Sequence, residues 1–340
     1  MKGPNPFALW EDDPGSISGR KEEARSFSSF VNAASSRQGG VLLVIGGPGV
    51  GKSAILRYFH HEAGKAGMAA VYVNAEKGED ESALANKCHS ELLSAGALKG
   101  PLGGPPPSGM AGFLDKAQRV VSKGSGLLVL IDDFDLMKRP DALLGDIVAL
   151  AKTGWGKREI GFVLSSTREL KAPEGPIASV FLKPFDEHET RDLVDKALKK
   201  GPPKMGEECL MSLISDTGGN PRLLKRICHD IYERLRDNEK LITKGHYLAY
   251  LPQIMGALSR EWFGGMYQET PMAERAILGA LSKEEAGMHV SDIAKKIGKP
   301  LGPVSALTKR LLDSGQIVRL DRGKYRIFSK LYARYVSQRG

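Results

Sequence analysis

The chain has 340 residues, 41% of them hydrophobic and 26% charged, with a formal net charge of +9. That composition fits a soluble globular protein of two or three domains, and no run approaches the ~20 apolar residues of a membrane span. The opening MKGPNPFALWEDDPG holds no apolar stretch of the secretory kind, and Cys88, Cys209 and Cys228 are too scattered for a disulfide framework or a metal knuckle, so a cytoplasmic protein is expected.

The charge is unevenly placed. Residues 271–340 hold 14 Lys/Arg against 6 Asp/Glu, while the rest of the chain holds 35 against 34. Such a basic end points to a nucleic-acid surface, or else to a solvated tail or a face for an acidic partner.

In chain order, SISGRKEE (16–23) reads as a loop leading into the amphipathic stretch ARSFSSFVNAA. VLLVI (41–45) reads as a buried strand, and GGPGVGKS (46–53) follows it in the spacing G-x-x-x-x-G-K-[ST]. Glycines let the backbone wrap a phosphate without a Cβ in the way. The segment Gly47, Pro48, Gly49, Val50, Gly51, Lys52, Ser53 and Ala54 then directs N–H groups at the phosphates from the start of a helix. Lys52 adds a point charge, and the Ser53 hydroxyl is a Mg²⁺ ligand.

AAVYVNAE (69–76) alternates as a second strand, and DESALANKCHSELLSAG reads as a helix. The Gly/Pro-rich GALKGPLGGPPPSGM reads as a surface loop within the domain. LLVLIDD (127–133) is a buried parallel strand ending in two carboxylates on the sheet edge where the glycine-rich loop opens. This looks like a Walker B motif, with Asp132 as metal ligand and Asp133 orienting the attacking water. IGFVLSST (160–167) is a fourth strand, whose end offers Ser165, Ser166 or Thr167 as a contact for a γ-phosphate or its water. Arg168 either binds that phosphate or makes a surface ion pair. SVFLKPF (179–185) is a short fifth strand.

Beyond it the pattern is helical, interrupted by GGNPR (218–222). There Pro221 opens a helix and Arg222 projects from its first turn. Either Arg222 is a sensor reaching back to a nucleotide, or GGNP is only a helix–helix turn. In the last 70 residues, three helices and the hairpin QIVRL-DRG-KYRIF spell a winged helix-turn-helix. Ser305, Thr308, Lys309 and Arg310 are candidates to face DNA. Arg319, Arg322, Lys324 and Arg326 decorate the wing, and Lys295, Lys296 and Lys299 flank the turn. The rival reading is a packing module with Leu307, Leu311 and Leu312 inside.

SGRKEE, GGPGVGKS, LLVLIDD, SSTRE, LKPFDEHET, GGNPR and a winged helix, in that order, resemble the AAA+ and STAND division of P-loop ATPases. The likeness is greatest to archaeal-type ATPases with a C-terminal winged helix and to origin-recognition initiators. The resemblance implies an α/β P-loop fold, with a five-stranded parallel sheet in the order 5-1-4-3-2, then a helical lid and the winged helix. The expected domains are 1–185, 186–270 and 271–340. It implies ATP and Mg²⁺ as ligands, hydrolysis to ADP and phosphate, and duplex DNA as partner. Ile17, Gly19 and Arg20 would lie near the adenine, Thr167-Arg168 at the sensor, and Gly218, Gly219 and Pro221 with Arg222 at the lid. Asp133 stands where initiators carry glutamate, which implies slow turnover. No arginine finger can be placed, and a homo-oligomer or protein partner stays open.

Overall fold

A computed structural model describes residues 3–7, 15, 17–35, 39–94, 105–121, 126–153, 160–171, 173–201 and 203–339. Most of the Gly/Pro-rich loop expected at 96–110 lies outside these residues. The chain divides into two compact units, one made of 13–46 and 51–182, the other of 47–50 and 183–340 with the first residues of the chain.

The first unit is a parallel five-stranded sheet. Its strands are β1 (Gly40–Gly46), β2 (Ala69–Asn74), β3 (Leu127–Asp132), β4 (Ile160–Ser166) and β5 (Ile177–Leu182). They lie in the order β2-β3-β4-β1-β5, which is the expected one read from the other edge. β3 and β4 are buried along their whole length and β1 up to its last residue, because helices cover both faces of a parallel sheet. The edge strand β5 leaves Phe181 half exposed. The helices are α1 (Lys21–Ser35), α2 (Lys52–Lys65), α3 (Glu81–Ser94), α4 (Met110–Val120) and α5 (Pro140–Thr153). Of these, α4 and α5 went unread in the sequence. Gly40 and Gly161 face each other across β1 and β4, and the ring of Phe30 on α1 packs on the smooth patch they leave. Phe27 stacks on Phe59 of α2 with ring centroids 4.0 Å apart. The register pairs Ile45 with Ser166, Asn74 with Asp132, and Ile131 with Leu164. The C-terminal ends of β1, β3 and β4 therefore share one edge, and this positions the site.

The second unit begins with α6 (Glu187–Ala197), whose Asp186 and Glu189 form a complete capping box. It continues through β6 (Lys204–Met205), α7 (Glu207–Thr217), α8 (Pro221–Arg234), β7 (Leu241–Ile242), α9 (Lys244–Leu258) and α10 (Gly264–Glu269). The tiny parallel pair β6–β7 adds strands between helices where the sequence reads as helices only, and a π-helical turn at Ser259–Phe263 ends the stretch that reads as one helix to Phe263. The winged helix consists of α11 (Met272–Leu281), β8 (Met288–His289), α12 (Val290–Ile297), α13 (Leu301–Asp313), β9 (Ile317–Asp321) and β10 (Lys324–Ile327). The expected helices and hairpin are all there, with β8 added as a third strand beside β10. A closing helix, α14 (Lys330–Ser337), was also unread.

One core runs through lid and winged helix alike, from Leu213 and Ile227 to Val304 and Tyr332. Phe7 is buried in the same core, with its ring edge-on to Tyr232, and Asn5 donates to the His229 carbonyl and the Glu233 carboxylate. Residues 3–7 thus pack with the C-terminal half.

The turn between α7 and α8 is held by glycine. Gly219 has φ +75, a Cβ on it would run into the Phe185 carbonyl, and its own carbonyl accepts from Phe185 N–H at 2.7 Å. Gly219→Ala is expected to destabilise the fold by about 2–4 kcal/mol, adding a clash to the left-handed strain. Gly265→Ala, in open space within α10, should be neutral or stabilising by up to about 1 kcal/mol. Urea unfolding midpoints of the two variants check this.

Candidate nucleotide site

The glycine-rich loop leaves β1 at Gly46 and enters α2 at Lys52. Gly51 is the N-cap of α2 at φ 102, ψ 25, with no side-chain cap. A Cβ there would meet nothing, so glycine is required by the backbone angle rather than by space. Lys52 is only 7% exposed and donates from Nζ to the Gly46 carbonyl at 3.0 Å. Burial pulls its pKa down, and Asp133, Asp135 and Asp132 oppose that shift. Ser53 and Ala54 follow, half-buried in the first helical turn.

Asp132, at the end of β3, is 1% exposed. Tyr72 donates from its hydroxyl to Asp132 Oδ2 at 2.9 Å, and the Ser165 hydroxyl donates to Oδ1. Asp133 N–H then donates to Ser165 Oγ at 2.8 Å and to Asp132 Oδ1 at 3.1 Å. Asp133 is the one non-glycine among the described residues with positive φ, at 53°. Such a residue costs of order 1–3 kcal/mol and persists where the surroundings impose it. Here Ser165 and Asp132 impose it. Burial pushes the Asp133 carboxyl up, as do Asp132 and Asp135, and Lys52 pulls it back.

The strand-end cluster separates the three sensor candidates. Ser165 belongs to Asp132. The Ser166 hydroxyl donates to the Arg168 carbonyl at 2.6 Å and accepts from Arg168 N–H at 3.2 Å. Thr167 stands half-buried just past the end of β4. The Arg168 guanidinium pairs with Asp141 of α5 at 3.2 and 3.4 Å, the ion pair of the rival reading. Burial would raise the Asp141 carboxyl, but Lys171 N–H and Arg168 outweigh it and hold the group below the usual range. Ahead of α1, Ile17 and Gly19 are half-buried, and Arg20, 4% exposed, pairs with Glu23 at 3.2 Å.

In the second unit Asn220 caps α8, its Oδ1 accepting from Arg222 N–H (3.1 Å) and Leu223 N–H (3.2 Å), with Pro221 in the first turn. Its Nδ2 donates to the Pro48 carbonyl at 2.9 Å, and Arg222 N–H also donates to the Gly49 carbonyl at 3.2 Å. The loop tip 47–50 is therefore tied to the start of α8. Trp262, delivered by the π-helical turn, lies under the Arg222 guanidinium at 4.4 Å, and burial lowers the pKa of that arginine. A Cβ on Gly49 would come within 2.7 Å of Asn220 Oδ1 and 2.8 Å of Trp262. Gly315, after α13 and at φ +68, presses on Pro48 so closely that a Cβ would enter the proline ring.

These residues fit a magnesium nucleotide. A buried ammonium and an uncapped helix start suit phosphate, while Ser53 and Asp132 offer the hard oxygens that Mg²⁺ takes. Two adjacent carboxylates, with Asp133 pushed up first by burial and then by Asp132, are a concentration of negative charge that a divalent cation relieves. Tyr72 and Ser165 were not singled out as holding Asp132. Only the pairing of β2, β3 and β4 brings them to it, and no local motif marks them.

On the winged helix the outward face differs from expectation at one position. Thr308 is 1% exposed and donates to the Val304 carbonyl at 2.8 Å, so it packs inward rather than facing DNA. Val304, Thr308 and Leu311 form the buried stripe at helical spacing. Ser305, Lys309 and Arg310 are exposed, with Arg310 3.8 Å from Glu274. Arg319 and Arg322 are exposed on the wing, and Lys324 is half-buried. Of the lysines near the turn, Lys296 pairs with Glu284 at 3.1 Å and Lys295 lies 3.8 Å from Asp292.

Residues 16–155 match the AAA ATPase domain family, and residues 273–318 match the winged helix-turn-helix DNA-binding family. None of the curated proteins matches. Among solved structures, a Walker-type ATPase of Pyrococcus abyssi is 16% identical, covers 97% of this chain and 99% of its own, and has a TM-score of 0.72. The ORC2 protein of Aeropyrum pernix, in ADPNP-ADP complexes, is 14% identical, over 98% of this chain and 95% of its own, with a TM-score of 0.65. The ORC1 protein of Aeropyrum pernix in complex with DNA is 16% identical, over 98% and 96%, with a TM-score of 0.55. At such identities the likeness is one of fold, and it is the fold that the order of motifs implied.

Proposed function

We propose that this chain, with its AAA+-type sheet and C-terminal winged helix, binds ATP with magnesium, hydrolyses it, and uses the state of its glycine-rich loop to present the winged helix to duplex DNA. The observation that carries the reading is the charge cluster of buried Lys52 and Asp132 with half-buried Asp133. Lys52 holds the β- and γ-phosphates. Ser53 and Asp132 hold the metal, which when bound spreads the charge of the transferring phosphoryl group. Asp133 orients the attacking water and accepts its proton, a task that its upshifted carboxyl suits. Tyr72 and Ser165 fix the Asp132 carboxylate so that it need not reorganise during turnover. Thr167 and Arg168 stand by as the sensor pair, and Arg168 exchanges Asp141 for phosphate when it serves.

Arg222 reads the loop. Its N–H already holds the Gly49 carbonyl, so any change at the tip on binding triphosphate is felt at the start of α8. Ile17, Gly19 and Arg20 take the adenine side, as the resemblance implies. The DNA reading is supported by the basic last 70 residues and by the exposure of Lys309, Arg310 and Arg322. The ORC1 protein of Aeropyrum pernix, similar in fold, was solved in complex with DNA.

One observation favours a second reading, a nucleotide switch that signals to a protein partner. Lid and winged helix share one core, and Gly315 leans on Pro48, as in a module that serves packing. Duplex binding at two salt concentrations, with and without ATP, separates the two. If five cations neutralise phosphates, affinity falls roughly 10²–10³-fold between about 50 and 200 mM salt, and ATP alters it. Absence of a duplex complex at the lower salt rejects the DNA reading and leaves the switch.

A further inference from the structure

The exposed side of α13 is small. Over its first two turns the outward residues are Leu301, Gly302, Pro303, Ser305 and Ala306. The one hydroxyl among them, on Ser305, donates to the Leu301 carbonyl at 2.9 Å. Val304 and Thr308 are buried and Leu307 is half-buried, so none of these three adds a polar group to the face. The first long polar side chains are Lys309 and Arg310, in the third turn, and Arg310 lies 3.8 Å from Glu274.

Reading a base from the major groove requires side chains that offer paired donors and acceptors, such as arginine to guanine or asparagine and glutamine to adenine. Those chains normally stand on the early turns of the recognition helix, whose N-terminal residues meet the base edges. Here that position holds Leu301, Gly302, Pro303, Ser305 and Ala306, none of which offers such a pair. The same module carries its exposed cations elsewhere: Lys309 and Arg310 later on α13, Arg319 and Arg322 on the wing with half-buried Lys324, and Lys295 on α12, with Arg310 and Lys295 each 3.8 Å from a carboxylate. A helix start without long polar side chains, in a module whose cations lie on other elements, suits close approach to a groove while the charges meet phosphate.

We infer that the winged helix takes B-form duplex DNA of any sequence, gripping the sugar–phosphate backbone and leaving the bases unread. This rests on the DNA reading proposed above. A-form RNA duplex is a poorer ligand, because its narrow major groove does not admit a helix. Without base contacts, affinity stays in the range of non-specific binders, about 10⁻⁴–10⁻⁶ M at physiological salt, where base-reading proteins gain a further ~10³–10⁷.

The test uses the full chain in fluorescence anisotropy with several unrelated duplexes of equal length, together with selection from a randomised duplex pool. Dissociation constants should agree within about threefold, and selection should enrich no motif. Arg322→Ala should weaken binding to every duplex alike and reduce the salt slope by roughly one. Ser305→Ala should leave all affinities unchanged. A preference of about 100-fold or more for one sequence would overturn the inference while leaving the DNA reading standing, as would a change in sequence ranking on Ser305→Ala. Failure of every duplex to bind at low salt would remove the DNA reading itself, and this inference with it.

Discussion

Replacing Lys52 with alanine is expected to lower ATP turnover by at least ~10²–10³-fold, the usual loss when a preorganised charge is removed from a transition state. The environment of Lys52 explains the size of the effect. Its ammonium is almost fully buried, anchored on the Gly46 carbonyl, and within electrostatic reach of Asp133, Asp135 and Asp132. Alanine leaves the aspartates without the cation that offsets them, so phosphates approaching from the loop meet net negative charge. Nucleotide affinity should fall alongside turnover. Phosphate release and titration with a fluorescent ATP analogue measure the two separately. Unchanged values in both would remove Lys52 from the site and with it the proposed function. Lys52→Arg should not rescue, because the larger guanidinium does not fit a buried seat shaped to an ammonium that donates to the Gly46 carbonyl.

Asp133→Asn should cost about 10²–10⁴-fold in turnover, the usual contribution of a positioned base, while leaving ATP binding nearly intact. Asparagine is chosen because it tolerates the left-handed backbone at φ 53 as aspartate does. Alanine there would add strain to the loss of the base. The same substitution tests the ionisation. Burial, followed by Asp132, raises the Asp133 carboxyl in the folded chain above its unfolded value. The fold therefore favours the protonated form. That contribution is fully present below the unfolded pKa, near pH 4, and is lost as pH rises through the raised folded value. At neutral pH the ionised carboxylate is a burden, so Asp133→Asn should raise the unfolding midpoint while it suppresses turnover. In the wild-type chain, turnover should decline on the acid side as Asp133 takes up its proton. Equal turnover in wild type and Asp133→Asn at pH 7.5 would show that another group handles the water.

The strength of the local signals varied with how local the chemistry was. G-x-x-x-x-G-K-S needs only eight consecutive residues, and the apolar runs of β1, β3 and β4 announce themselves because both faces of a parallel sheet are covered. The winged helix was legible because its helices keep an amphipathic period and its hairpin turns on Asp-Arg-Gly. Thr308 was misplaced for a local reason. It carries a hydroxyl, yet it falls in phase with Val304 and Leu311, and helical phase outweighed polarity once the hydroxyl found the Val304 carbonyl.

By itself the chain marked which residues are candidates to meet phosphate and metal in the proposed site, where the carboxylates stand along the sequence, and that a basic module follows. Those are matters of spacing along a strand, a turn or a helix, and backbone geometry enforces them at short range. Tertiary structure alone decided that Tyr72 and Ser165 hold Asp132, that Asp133 is bent into a left-handed conformation, and that Arg168 rests on Asp141. It also decided that Phe7 belongs to the C-terminal core and that the tip of the glycine-rich loop is fastened to Asn220 and Arg222. Each of these joins residues distant in sequence. Strand pairing and the filling of a shared core choose such partners, and neither leaves a mark in any short window of residues.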